Sequence, residues 1–303
     1  MLPNDTASFA ELAVENHPQI RTEASQELFN RLQQKLKKVT IDDQDFYIVE
    51  GDTLLDEDQL LLYASRREAI DRLFQSESLA RLGGLGVAQL VGTAATGTVL
   101  PQGLLGIVQG GRIVRWAPGV VLSYCVLKNT FPAAADYEAI VDAMKQATTD
   151  WEATCGIRFD YRSELDDSPT IRPAGVIFTV RFIDAGGAFI ASAFFPNDPV
   201  NRRRVLIDPS FFDTDFDPVG ILRHELGHVL GFRHEHIRSG APPICPDEDT
   251  SGTFDLTQYD PQSVMHYFCG GVGSRDLAIS DLDRSGAQRV YGLPLTSFEF
   301  VDV

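Results

Sequence analysis

The chain has no apolar run approaching the ~20 residues that a membrane-spanning helix needs, no excess of basic residues and no Cys-x-x-Cys pair. The first absence argues against a membrane span. The second is a matter of numbers: 26 Lys and Arg stand against 43 Asp and Glu, a formal net charge of -17. Such a surface does not attract nucleic acid or an anionic membrane. The third removes zinc ribbons and dithiol redox motifs, because the four cysteines, Cys125, Cys155, Cys245 and Cys269, are widely spaced. The first ten residues, Met-Leu-Pro-Asn-Asp-Thr-Ala-Ser-Phe-Ala, show no basic segment leading into an apolar one, so no secretory signal is visible there. What is present is a globular composition, 44% apolar over 303 residues, enough for real cores in about two domains.

Histidine is scarce as well, six in all, yet three of the six fall within eleven residues. The stretch from His224 to Glu235 reads His-Glu-Leu-Gly-His-Val-Leu-Gly-Phe-Arg-His-Glu. On a helix, His224 and His228 project from one face, the spacing at which two imidazoles share one metal ion. Gly231 is free to take positive φ, end the helix and turn the chain, bringing His234 back as a third ligand. Three imidazoles with an open fourth position describe a catalytic zinc site, whereas a structural site closes that position with another side chain. Glu225 leaves the helix beside the ligands, where a carboxylate can take a proton from a metal-activated water. His236 and His266 lie nearby and His17 is remote; each is read as hydrogen-bonded or solvated.

This stretch resembles the extended zinc signature of the metzincin peptidases, and a Glu directly after the third His, here Glu235, resembles the astacin family. Ser263-Val264-Met265-His266-Tyr267 follows as the second expected piece. The resemblance implies a Met-turn with Met265 beneath the metal and Tyr267 as a further ligand and a catalytic hydroxyl. It covers residues 112 to 292 loosely and 217 to 267 closely. Val49-Glu50-Gly51-Asp52 is similar to the family's propeptide motif, with Val49 where Phe is common, and implies Asp52 as a ligand in a latent state; read alone, Gly51-Asp52 is a turn closing a strand. The resemblance further places Ala191, Ser192, Ala193 and Phe194 on the sheet edge that takes an extended substrate. In such a fold the cysteine pairs Cys125 with Cys155 and Cys245 with Cys269 join neighbouring segments, which implies an oxidising, secreted or extracellular setting. Four reduced thiols in a cytosolic protein are the alternative.

The expected fold class is α+β: a metzincin-type catalytic domain over residues 112–303, with a twisted mixed sheet and helices above the cleft and an irregular lower part carrying the Met-turn and a last helix. A small, mostly helical propeptide-like region is expected over 1–95 and a linker over 96–111. Apolar periodicity predicts helices from Thr22 to Lys38, from Asp56 to Leu73, from Asp136 to Glu152 with Asp136 as N-cap, and from Ser280 to Tyr291. Asp217-Pro218 starts the metal helix. Strands are expected at Phe46–Val49, Val120–Cys125, Val176–Ile183, Ala188–Phe195 and Arg204–Ile207, and the resemblance implies the start of another at Thr154–Phe159. Asp247, Glu248, Asp249 and Asp255 read as a solvated acidic loop rather than a calcium site. The expected activity is zinc-dependent endopeptidase action on peptide or protein substrates by a latent, monomeric proenzyme with one catalytic Zn2+. A zinc-binding pseudo-peptidase without turnover is the alternative.

Overall fold

The structure, a computed structural model, describes residues 22–68, 103–109, 111–238, 240–245 and 253–295. The expectations for the first twenty residues with His17, for helix beyond residue 68, for the Gly-rich stretch from Leu82 through residue 102, for Asp247 to Asp249 and for the tail after residue 295 lie outside the described residues. The chain divides into two compact units: Met1–Val49 with Leu54–Leu100, and Glu50–Thr53 with Pro101–Val303.

In the first unit, helix α1 (Glu23–Lys35) opens on a capping box. Thr22 accepts the Ser25 amide at 3.1 Å and the Ser25 hydroxyl accepts the Thr22 amide at 2.9 Å. The helix ends before the expected Lys38 because that lysine begins strand β1 (Lys38–Ile41), antiparallel to β2 (Gln44–Val49). Strand β3 (Thr53–Leu55) completes the three-stranded sheet in the order β1-β2-β3. Residues 57–68 form helix α2, capped by Asp56, whose carboxylate accepts the Gln59 amide at 2.8 Å. Phe29, Tyr47, Val49, Leu60 and Ala64 close a small core.

The second unit is built on a five-stranded mixed sheet. Strand β6 (Val121–Val126) runs parallel to both β7 (Arg158–Tyr161) and β8 (Phe178–Phe182), and β8 is parallel to β10 (Arg204–Ile207). The edge strand β9 (Ala191–Ser192) is antiparallel to β10, giving the order β7-β6-β8-β10-β9. A parallel pair needs a long crossover, and helix α3 (Ala134–Glu152) supplies it between β6 and β7. Its N-cap is Ala133 rather than Asp136, which instead lies in the first turn, where a negative charge suits the helix dipole. Ile140, Met144, Ala147 and Trp151 are buried along one face of α3, with Leu122, Val180 and Val205 of the sheet in the same core.

Helix α4 (Pro218–Val229) packs against α3, and the Trp151 indole fixes the pair by donating to the Arg223 carbonyl at 2.8 Å. Asp217 caps α4, accepting the Gly220 amide at 3.0 Å, with Pro218 in the first turn as the sequence reading has it. Helix α5 (Asp281–Tyr291) follows a Ser280 to Asp283 capping box.

Three expectations are corrected here. Residues 103–109, read as part of a linker, form strand β4 (Gly103–Gln109), which pairs with β5 (Arg112–Ile113), β11 (Phe232–Arg233) and β12 (Thr253–Thr257). Low charge and repeated small residues look like a tether but equally suit a strand covered on both sides. The region after Gly231 is correspondingly less irregular than expected, since β11 and β12 flank β4. The edge strand, expected over Ala188–Phe195, is only two residues long, and Phe194 turns into the core against Trp116 and Phe178.

Candidate metal centre

Helix α4 carries His224 and His228 on one face, and the chain leaves it at Gly231, where φ is +92°. The end of the helix is fully partnered despite being buried. Its orphan carbonyls at Val229 and Leu230 accept the Trp116 indole N–H at 2.7 Å and the Tyr291 hydroxyl at 2.7 Å, and Gly231 O accepts the Ile107 amide of β4 at 3.0 Å. Strand β11 therefore starts in a fixed direction and delivers His234 opposite the first two histidines.

The three imidazoles are buried, at 3% exposure or less, and converge. His234 Nε2 lies 3.1 Å from His228 Nε2 and 3.2 Å from His224 Nε2. These contacts are not hydrogen bonds between rings. His224 Nδ1 donates to the Val264 carbonyl at 2.8 Å and His228 Nδ1 to the Phe232 carbonyl at 2.8 Å, which leaves both Nε2 atoms as lone pairs facing a common point. His234 Nδ1 faces Glu50 Oε2 at 3.4 Å. Asp52 closes the fourth direction: its Oδ2 is 3.1 Å from His234 Nε2 and 3.4 Å from His224 Nε2, and its Oδ1 is 3.7 Å from His228 Nε2.

One ligand atom from each of Asp52, His224, His228 and His234 falls within 4.8 Å of all the others. Bonds of ~2.0–2.1 Å to a tetrahedral ion would set ligand separations of about 3.3–3.4 Å. Lone pairs that face one another without an intervening proton repel, and a cation at their centre reverses the sign. The donor set, nitrogen with one carboxylate oxygen, thus fits a divalent metal of the zinc type.

Electrostatics agree with this reading. Burial pushes the Asp52 carboxyl up, but His234, His224 and His228 outweigh it and hold it well below the usual carboxylate range. Burial holds His234 well below the ordinary imidazole value, keeping its lone pair available. Glu225 is 2% exposed, its Oε2 has no hydrogen-bond partner among the described residues, and burial followed by the Asp52 charge raises its pKa well above the ordinary value. Burial, then Asp52, raises Tyr267 likewise, so its hydroxyl stays protonated and donates to Asp52 Oδ2.

The turn beneath the site is held from three sides. Met265 is fully buried against α4, where a Cβ added at Gly227 would meet its Sδ at 2.3 Å, so a larger residue there would displace the methionine side chain. Met265 O accepts the Glu235 amide at 2.8 Å. Glu235 Oε1 accepts Arg238 Nη1 and the Asp260 amide, each at 2.8 Å, and burial pushes its pKa up to about 8. The Tyr267 ring stacks on His236 at 4.5 Å, and His266 Nδ1 donates to the Tyr267 carbonyl at 2.6 Å, so these two histidines support the tyrosine.

Several participants escape sequence reading. Arg233 on β11 forms a two-pronged ion pair with buried Glu50, one contact being Nε to Oε2 at 2.9 Å, and thereby fixes the Glu50-Gly51-Asp52 segment. Asp283 on α5 accepts the Ser263 hydroxyl at 2.6 Å and the Val264 amide at 2.8 Å, one peptide from the carbonyl that orients His224. A Ser-x-x-Asp box is the available signal for Asp283, but it predicts only a helix start.

Cys245 and Cys269 form a disulfide. The expected bridge between Cys125 and Cys155 is corrected: both are free, buried thiols. Cys125 lies on β6, whereas Cys155 follows α3 with its Sγ directed to the Trp151 carbonyl at 3.8 Å, and burial raises both thiols to about 12. They behave as small core residues.

No family model matches the sequence. Comparison with solved structures finds similarity to high choriolytic enzyme 1, a hatching enzyme zinc-protease from the medaka fish Oryzias latipes, with 18% sequence identity and a TM-score of 0.38 over 59% of this chain and 94% of that one. No helix among the described residues is long and apolar enough to cross a membrane.

Proposed function

We propose that this chain is a zinc-dependent endopeptidase of the astacin-like type, held latent by its own Asp52. The observation that carries the reading is the convergence of three Nε2 atoms, that of His234 lying 3.1 and 3.2 Å from those of His228 and His224, beside a buried carboxylate oxygen of Glu225 that has no hydrogen-bond partner among the described residues. A purely structural metal site has no use for that carboxylate.

His224, His228 and His234 would hold the ion, with Asp52 as the fourth ligand of the resting state. When bound, zinc supplies Lewis-acid polarisation of a carbonyl oxygen and acidifies a water. Glu225, buried beside the ligands with one oxygen unpartnered among the described residues, would serve as the general base toward an attacking water and then return the proton to the departing amine. Tyr267, protonated and backed by His236, donates to the developing oxyanion once Asp52 no longer accepts its proton. The edge strand at Ala191–Ser192 offers backbone groups for an extended substrate. Release of Asp52 requires the Glu50 and Arg233 pair to part as well, so the latent segment is anchored at two points.

The test is Glu225→Gln. The variant is expected to bind zinc as the parent does and to lose cleavage of quenched peptides by roughly 10²–10⁴-fold, the usual worth of a general base. Undiminished cleavage, or loss of metal with the side chain, would refute the assignment.

A further inference from the structure

Beside the metal centre, between α4 and the edge strand, the second unit contains a cavity of about 360 Å³. Its walls are apolar: Phe189, Ile190 and Ala191 from the edge segment, Phe216 and Ile221 around the start of α4, and Leu277. His224, Glu225, Asp52 and Tyr267 also line it, so one end of the cavity is the metal centre itself. The polar wall residue away from that end, Ser210, is already engaged, donating its hydroxyl proton to Asp208 Oδ1 at 2.7 Å. Asp208 in turn is fully buried and accepts the amides of Ala185 and Ser210 at 2.8 and 2.9 Å, which pins the loop and the wall together.

We infer that this cavity is the specificity pocket of the peptidase and takes a large, uncharged apolar side chain, of Leu, Met or Phe type, from the residue flanking the scissile bond. The inference rests on the peptidase reading and adds the substrate class. Proximity to His224 and Glu225 ties the occupant to the bond being cut. The volume lies at the low end of small-ligand pockets, room for one large side chain rather than a cofactor. A substrate carboxylate seated among the apolar walls would lose its water, with no Lys or Arg among the described lining residues to compensate. An ammonium or guanidinium would find side-chain carboxylates among the lining residues only at the metal end, where the proposed dication would repel it. Burial of a large apolar side chain is worth roughly 10–100-fold in relative cleavage.

The experiment uses the full-length chain, wild type and Asp52→Ala, on quenched peptide libraries varied at the two positions flanking the cut, with cut sites read by mass spectrometry. At one of the two positions Leu, Met and Phe are expected to exceed Gly, Asp and Lys by about 10–100-fold. Phe216→Ala, at a half-buried wall position, should shift acceptance toward Trp relative to Leu. Binding of the same peptides to zinc-loaded Asp52→Ala, Glu225→Gln chain, followed by fluorescence anisotropy, should keep the same order without turnover. Equal cleavage at both positions, or a preference for charged residues at both, overturns the pocket assignment while leaving a peptidase. A zinc-loaded Asp52→Ala chain that cuts no library member defeats the peptidase reading, and the pocket assignment with it.

Discussion

Tyr267 donates its hydroxyl proton to Asp52 Oδ2, the same oxygen that stands 3.1 Å from His234 Nε2. One carboxylate thus occupies both the fourth direction of the metal centre and the hydroxyl assigned to the oxyanion. On the latent reading proposed above, Asp52 removes a ligand position and a hydrogen-bond donor together, and its withdrawal, with the parting of the Glu50 and Arg233 pair, would restore both.

Tyr267→Phe, made in the Asp52→Ala chain, should lower kcat by about 10²-fold with little change in KM, because a donor used only in the transition state is lost. Steady-state kinetics on one quenched peptide decides it. An unchanged kcat would reduce Tyr267 to a packing residue on His236.

Asp283 gives a pH dependence with a definite sign. Burial raises its carboxyl from 3.8 to about 6, so the folded state holds the proton more tightly than the unfolded chain. This contribution is complete below about pH 4 and is lost as pH rises through 6, a change of about 3 kcal/mol from the gap between those values. Asp283→Asn keeps an acceptor for the Val264 amide and a donor for Ser263, and does not titrate. Its Tm relative to the parent should therefore rise between pH 4 and pH 7; a constant difference would contradict the assignment.

Cysteine labelling checks the correction to the disulfide expectation. Alkylation of the denatured chain without reductant should mark Cys125 and Cys155 alone, and after reduction all four. Labelling of none would restore the second bridge, and labelling of four would remove the first.

If the site holds a cation, chelation should destabilise the fold, because its withdrawal leaves three imidazole nitrogens and a carboxylate crowded together in a buried site. With metal near a thousand times its Kd, the bound form gains about 4 kcal/mol, equivalent to a Tm shift of roughly 6 °C for a chain of 303 residues. Scanning calorimetry with and without chelator reads it directly. An unchanged Tm would mean that no ion belongs there.

The metal centre was legible because its information is local. Spacing of His224, His228 and Gly231 fixes which side chains share a face and where the chain turns, and Asp217-Pro218 marks the helix start by chemistry that needs no tertiary context. The Asp52 expectation came from a short motif and the structure brings that residue to the histidines. Less was readable where partners are distant: Arg233 meets Glu50 across 183 positions, and Asp283 meets Val264 across 19. β4 was missed because apolar, glycine-rich sequence does not distinguish a tether from a strand until β11 and β12 appear on its two sides. The second disulfide failed for a related reason: two buried cysteines satisfy a core as thiols and need no bridge.

The most direct test of the central claim measures zinc content and quenched-peptide cleavage on the same preparations of the intact chain and its Asp52→Ala variant. One zinc per chain is expected in both, with cleavage at least about tenfold faster in the variant, since a charged contact worth roughly 1.5–3 kcal/mol no longer holds the site closed. Absence of stoichiometric metal, or a zinc-loaded Asp52→Ala chain that cleaves no faster than the parent, would contradict a latent zinc peptidase governed by Asp52.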